Sequence, residues 1–395
     1  MFKQVGRDNR LLMVALFIWA LGEGLWYSLR PLYLESLGAS SAQIGTALAI
    51  EGFTRAILPL PAGYLADRIG PYWVMVGSWS LGIIGALALA VVTTWQLAIP
   101  GIMIYAMSAF AIPVISSYAL LVIPDRAIPG IADRTITSVY ASYPAGLIIS
   151  PMVGGWLADR TSLRTDLWIG AGLFVISLAF MLMLSKARSA HVASIPHPFK
   201  LLSNRSFLKL ALYYSGTILF LQMSNALLPN FLHEVRLFSL AAIGLFLSLQ
   251  GAGTVVSSLL AGRASPAWNY PALVMVLLAA TGMLLVDGSP LGVGAAMFVM
   301  GGYFTTRALA VAGVARVVEE SQHGLAFGSL ETFFSLAMAL AGQAAGLLYA
   351  RTSSHTLPLV AGLAGLPIIA GLWFVVRPQR HPLARPVEAL ASGGE

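Results

Sequence analysis

Five ionisable side chains lie inside long apolar runs of this sequence: Glu23, Glu51, Arg55, Arg307 and Glu331. A charge at the centre of a membrane helix costs about 2.5–3.5 kcal/mol on insertion scales, so each is expected to face protein or a water-filled cavity. Glu51 and Arg55 stand four apart in the order that favours a pair; they either neutralise each other or leave Glu51 as a candidate proton carrier. Arg307 and Glu331 fall at similar depths on consecutive antiparallel helices, which are usually neighbours, and a pair between them is the first expectation. Glu23 has no basic residue one turn away. It is the leading candidate for a carboxylate that carries a proton or binds a cation, the alternative being a protonated side chain with a packing role.

Aromatic and amide residues share faces with these charges. Trp19, Glu23, Trp26, Tyr27 and Arg30 fall on one helical stripe. Tyr214, Gln222 and Asn225 share a second face, and Met300, Tyr303 and Arg307 a third. Such stripes suit a polar cavity, although aromatic rings at helical spacing also serve plain packing.

The elements that hold these residues follow from composition. The chain has 395 residues, 58% hydrophobic and 10% charged, where a soluble domain carries about 25% charged residues. A water-soluble enzyme is excluded. A membrane helix needs ~20 apolar residues, and apolar runs fall at 11–34, 42–62, 72–93, 96–120, 135–157, 166–185, 208–232, 240–261, 271–287, 291–314, 324–350 and 356–376. The fold class expected is an all-α membrane protein of twelve transmembrane helices. Residues 1–185 form one six-helix bundle, 186–206 a basic cytoplasmic linker, 207–376 a second six-helix bundle and 377–395 a cytoplasmic tail. The first run lacks a small-residue cleavage site and reads as a retained helix.

Basic residues set the orientation. With the N-terminus inside, Lys3, Arg7, Arg10, Arg68, Arg126, Arg134, Lys186, Arg188, Lys200, Arg205, Lys209, Arg263, Arg316, Arg377, Arg380 and Arg385 are cytoplasmic, and only Arg30, Arg160, Arg164, Arg236 and Arg351 lie outside. Both termini are therefore expected inside the cell membrane. The net charge of +7 is topology rather than a nucleic-acid surface. There are no cysteines, which excludes thiol chemistry. No nucleotide-binding glycine loop, dense metal-ligand cluster or catalytic triad stands out, so no cofactor and no metal are expected.

The chain repeats. Ile44-Gly45, Glu51-Gly52 and Gly63 align with Ile243-Gly244, Gln250-Gly251 and Gly262 at one offset, Pro31 aligns with Pro229 one residue short of it, and Gly155–Arg160 resembles Gly346–Arg351. Duplicated halves are a mark of secondary transporters, which bind substrate near the midplane between repeats.

Two motifs sharpen this. Gly63-Tyr64-Leu65-Ala66-Asp67-Arg68-Ile69-Gly70, expected in the loop between helices 2 and 3, resembles the signature loop of the major facilitator superfamily. Pro71 and Tyr72 stand where further basic residues usually follow. Gly146-x-x-x-Ser150-Pro151-x-x-Gly154-Gly155 on helix 5 resembles the antiporter motif of that superfamily, with Ser150 replacing a glycine. Small residues four apart admit close backbone packing and proline bends the helix. The chain thus resembles the twelve-helix drug:proton antiporters of the superfamily.

The resemblance implies a cavity lined by helices 1, 4, 7 and 10, with Trp26, Tyr27, Tyr214, Gln222, Asn225, Tyr303 and Arg307 toward substrate. It implies gating by Gly63, Asp67, Arg68 and Gly70, by Gly146, Pro151, Gly154 and Gly155, and by Arg55 competing with Arg307 for Glu331 where helices 2 and 11 meet. Helix 4 departs from many proton-coupled drug exporters, since Trp95 to Pro124 contains no arginine. The expectation is a monomeric, lipid-embedded secondary transporter that exports small amphipathic or cationic compounds in exchange for protons. The alternative is proton-coupled uptake of a polar metabolite such as a sugar or organic anion, with Arg307 or Arg30 on an anionic group.

Overall fold

A computed structural model describes residues 5–125, 128, 130–187, 201, 203–261, 269–319, 322–352 and 355–376. Among these, twelve helical passes follow one another. They are α1 (Arg7–Ser36), α2 (Ser41–Ile57 and Pro59–Ile69), α3 (Pro71–Val91), α4 (Trp95–Leu121), α5 (Ile131–Arg160), α6 (Leu163–Leu182), α7 (Arg205–Asn225, then Leu228–Asn230 and a π turn Phe231–Val235), α8 (Leu240–Ala261), α9 (Asn269–Val286), α10 (Pro290–Ala315), α11 (His323–Tyr349) and α12 (Leu357–Val376). Nine of the described passes are long and apolar enough to cross a membrane; α2, α7 and α9 are the others.

Local chemistry sets the ends. Ser40 opens α2 through a capping box with Gln43, which satisfies orphan backbone groups at both residues. Ser162, Asn204 and Ser289 cap α6, α7 and α10. Gly70 takes a φ of 90°, open to glycine at little cost, and Pro71 then starts α3. One expectation changes here. Pro59 restarts α2 as a first-turn residue, so Gly63 to Ile69 are helical rather than loop. The linker lies largely outside the described residues, and the tail 377–395 wholly so.

Within the first six passes α1 packs on α5 and α6, and α3 on α4 and α6; within the last six α7 packs on α11 and α12, and α9 on α10 and α12. The halves meet along two seams, α2 on α11 and α5 on α8. Both seams rest on the repeat. A side chain at Gly45 would collide with the backbone of Gly342 and Gly346, and one at Gly155 with the backbone of Leu240 and Gly244. The aligned pairs Gly45/Gly244 and Gly346/Gly155 therefore build two equivalent crossings.

The halves close on the face opposite the one where α1 begins and α12 ends. There Leu227, Phe231, Ile243, Phe246 and Tyr349 join the core of the first six passes. Toward the termini, Phe207, Tyr214, Tyr270, Val314 and Phe334 belong to a separate core of the second half, and Tyr140 on α5 is exposed.

Candidate functional site

Pro31 organises the charged cluster of the first half. It has no N–H for the carbonyl of Tyr27, and the Arg30 N–H takes that carbonyl instead, tightening α1 into a 3₁₀ turn over Tyr27–Leu29. The turn carries Tyr27 and Arg30 onto α2. Arg30 Nη2 lies 2.6 Å from Glu51 Oε2 and Arg55 Nη2 lies 3.2 Å from Glu51 Oε1. Tyr27 donates its hydroxyl to Glu51 Oε1 at 2.8 Å, and its ring lies 4.5 Å from the Arg30 guanidinium and 5.7 Å from that of Arg55. Arg30 is thus not an exterior loop residue. The helix continues past Pro31 to Ser36 and takes Arg30 inside, where it is 5% exposed. Arg55 pairs with Glu51 and not with Glu331, so Glu51 is counter-ion to two arginines.

Glu23 sits apart from that cluster. Trp19 donates Nε1–H to Glu23 Oε2 at 3.2 Å, and Tyr143 on α5 donates its hydroxyl to the same oxygen at 2.6 Å. Among the described residues no basic group forms an ion pair with Glu23. Its surroundings are aromatic: Trp19 stacks on Phe174 at 4.0 Å and tilts against Trp79 at 5.1 Å. Trp26, expected to face substrate, is buried edge-on against Tyr105 at 4.8 Å. Helix 4 supplies this tyrosine.

The second half answers with neutral polar groups. Tyr303 donates to Gln222 Oε1 at 3.0 Å, and Gln250 Nε2 reaches Asn225 Oδ1 at 3.4 Å. By the repeat, Asn225 and Gln250 stand where Tyr27 and Glu51 stand in the first half. Tyr214 was expected beside them and is not there. It is 1% exposed, packed among Tyr213, Tyr270 and Trp373, because its position two turns before Gln222 falls on the bundle side of α7.

Arg307 Nη2 and Glu331 Oε2 form an ion pair, with the guanidinium 5.3 Å from the Phe334 ring. The two side chains are 28% and 38% exposed, and a pair that wet contributes only ~0.2–1 kcal/mol. Glu331→Gln is therefore expected to leave unfolding within about 1 kcal/mol of the parent, and Arg307→Met on top of it to add little. Thermal unfolding of the purified protein in detergent measures both; a large loss repaired by the second change would show instead a pair that excludes water.

The residues expected to gate divide by face. On α5, Gly146, Ser150 and Gly154 press against α1: Ser150 Oγ donates to the Ala20 carbonyl at 3.2 Å, and side chains at Gly146 or Gly154 would strike Phe17, Ala20 and Leu25. Pro151 and Gly155 face α8, with the Pro151 carbonyl against Gly244. Gly63 and Asp67 lie on the backbone of α2, their side-chain environments outside the described residues. Arg68 is exposed and makes an interaction of its own, and Gly70 ends the helix.

One further residue at the seam between the halves has no counterpart among the residues expected to gate. The Asp159 carboxylate at the end of α5 accepts the N–H of Leu240 at 2.8 Å and of Ala241 at 2.9 Å. It caps the N-terminus of α8 across the seam, where orphan N–H groups and the helix dipole favour a negative charge. The signal was present. Gly155-Trp156-Leu157-Ala158-Asp159-Arg160 repeats the string of Gly63 to Arg68 with one aromatic exchanged.

The Major Facilitator Superfamily model matches residues 11–306. The solved nucleoside transporter NupG superposes with a TM-score of 0.78 at 17% sequence identity, over 95% of this chain and 100% of that one. The human organic anion transporter MFSD10 (TETRAN) gives 0.62 at 16% identity, over 94% of this chain and 98% of that one. At these identities the likeness is one of fold. No curated protein sequence matches.

Proposed function

The chain belongs to the Major Facilitator Superfamily and is a multi-pass membrane transporter, and from that premise we propose that it exchanges protons for small amphipathic or cationic compounds by alternating access. One observation carries the reading. Glu23 is a buried carboxyl that, among the described residues, forms no ion pair with an arginine or lysine; Trp19 and Tyr143 donate to it and aromatic rings wall it. A proton and an organic cation compete for such a group, which is the least that exchange requires. The proline-bearing, closely packed α5 and the two glycine crossings suit halves that rock as units. The basic residues support cytoplasmic termini in the cell membrane, and the asymmetry grows once Arg30 leaves the exterior count. On that topology the closed face is extracellular, and the end where the two cores separate faces the cytoplasm. The division into bundles at 1–185 and 207–376 and a monomeric state belong to the same proposal.

A second reading, proton-coupled uptake of a polar metabolite, draws on the neutral face of Gln222, Asn225, Gln250 and Tyr303, and on the likeness to a nucleoside transporter. Proteoliposomes with an imposed pH gradient separate the two. Proton-driven accumulation of tetraphenylphosphonium is expected. Accumulation of uridine with no response to the cation would favour the second reading, and indifference of both probes to the gradient would defeat proton coupling.

A further inference from the structure

On the closed face, two acidic side chains from opposite halves lie near each other. Glu35 ends α1, and Glu234 lies in the π turn that ends α7. Asn230, one turn before Glu234, reaches Glu35 across the halves, which sets the two carboxyl groups beside each other. Each is held in place by a neighbour: Asn230 Nδ2 donates to Glu35 Oε2 at 2.5 Å, crossing between the halves, and the Tyr349 hydroxyl donates to Glu234 Oε2 at 2.9 Å. Tyr349 is itself clamped by His355, whose ring stacks on it at 4.3 Å and whose Nδ1 donates to the Tyr349 carbonyl at 2.9 Å. His355 has a φ of 53°, a conformation uncommon outside glycine that persists where surrounding contacts enforce it.

The chemistry of this arrangement is restrictive. Two ionised carboxylates have only acceptor atoms, and like charges sharing a site cannot both ionise without cost. Two carboxyls placed side by side are therefore suited to share one proton.

Among the described residues no basic side chain is hydrogen-bonded to either carboxyl, although His355 and His233 lie within electrostatic reach. His355 Nε2 is 3.9 Å from Glu234 Oε2, beyond a hydrogen bond. His233 points Nδ1 at the Phe238 carbonyl, and the guanidinium of Arg236 is taken by the Leu284 and Leu285 carbonyls. Arg30, one turn back on α1, is committed to Glu51, and Arg351 is exposed.

We propose that Glu35 and Glu234 form a proton-binding site between the halves: one proton, shared by the two carboxyls, is taken up when this face closes and released when it opens. The site is distinct from Glu23: Glu35 lies at the far end of α1, and the end of α7 supplies its partner. It rests on the alternating-access reading, because only relative motion of the halves separates the pair. An acidic medium on this side then favours closure here and, with it, an opening toward the termini.

The cysteine-free chain permits a direct test. Spin labels on Thr161→Cys and Leu291→Cys, exposed positions on this face in opposite halves, report the opening as a lengthened distance in purified protein. The ratio of closed to open forms is expected to fall by up to about tenfold per pH unit across the range where the proton leaves. Glu35→Gln, and independently Glu234→Gln, supply a permanent amide donor and should abolish that pH dependence while keeping the closed form. His355→Gln should retain it. A pH-independent distance, or a pH dependence lost in His355→Gln but kept in Glu35→Gln, would overturn the proposal. If the distance still responds to a transported compound while ignoring pH, the proton site alone fails. If it responds to neither, alternating access fails with it.

Discussion

Glu51→Gln is expected to unfold earlier than any other single change at a charged position in this protein. Glu51 is the shared counter-ion of Arg30 and Arg55, and both the Arg30 and Glu51 side chains are 6% exposed. Removing the carboxylate leaves two guanidinium groups beside one tyrosine ring with nothing to offset their repulsion. Breaking one partner of a buried pair costs about 3–5 kcal/mol, largely because the remaining charge stays desolvated and unpaired. Thermal unfolding in detergent should show that loss, and Glu51→Gln combined with Arg30→Met should recover part of it, since the second change removes the stranded charge. The contrast with Glu331→Gln is itself informative, because burial and not the mere presence of an ion pair separates the two. If both variants melt alike, the Arg30–Glu51–Arg55 cluster is wetter than its geometry indicates.

The parts of the site that were legible in the sequence are those where a charge or a glycine had few alternatives. An ionisable residue within an apolar run must find a partner or a cavity, so Glu23, Glu51, Arg55, Arg307 and Glu331 announced themselves, and the Arg307–Glu331 pair followed from equal depth on adjacent helices. The repeated glycines announced the seams for a similar reason, since only a missing side chain lets the backbones approach as Gly45 and Gly346 do. What stayed hidden depends on rotation and on long-range contact. Arg30 stood at the edge of its run and looked exterior; the 3₁₀ turn before Pro31 moves it inside, and no periodicity encodes that turn. Tyr214 and Trp26 shared stripes with polar residues yet turn into their bundles, because an aromatic ring packs equally well on either side of a stripe boundary. Tyr143 and Asp159 needed the fold itself. Tyr143 meets a residue 120 positions away and Asp159 caps a helix 81 positions away, and neither distance leaves a local trace beyond the repeated Gly-x-Leu-Ala-Asp-Arg string.

Glu23→Gln should abolish proton-driven transport while leaving the protein folded. The amide matches the protonated carboxyl in size and can still accept from Trp19 and Tyr143 through its oxygen, so the aromatic wall around it is kept. What the amide cannot do is release a proton. Exchange then stops because the site has lost the state in which a cation would be held, whereas equilibrium counterflow of a neutral compound would persist. Coupling is thus separated from binding. In the same proteoliposomes used for the parent, accumulation of tetraphenylphosphonium driven by the pH gradient is expected to fall at least about tenfold, a loss of ~1.4 kcal/mol or more in the driven step. The melting temperature should move little, since a neutral, hydrogen-bonded group replaces one that forms no ion pair among the described residues. Tyr143→Phe offers an independent check, because it removes one donor from Glu23 without touching the carboxyl and should displace the pH profile of transport rather than erase it. Driven transport at the parent rate with an unchanged pH profile in Glu23→Gln would reduce Glu23 to a packing residue and send the search for the coupling proton to the shared carboxyls of Glu35 and Glu234.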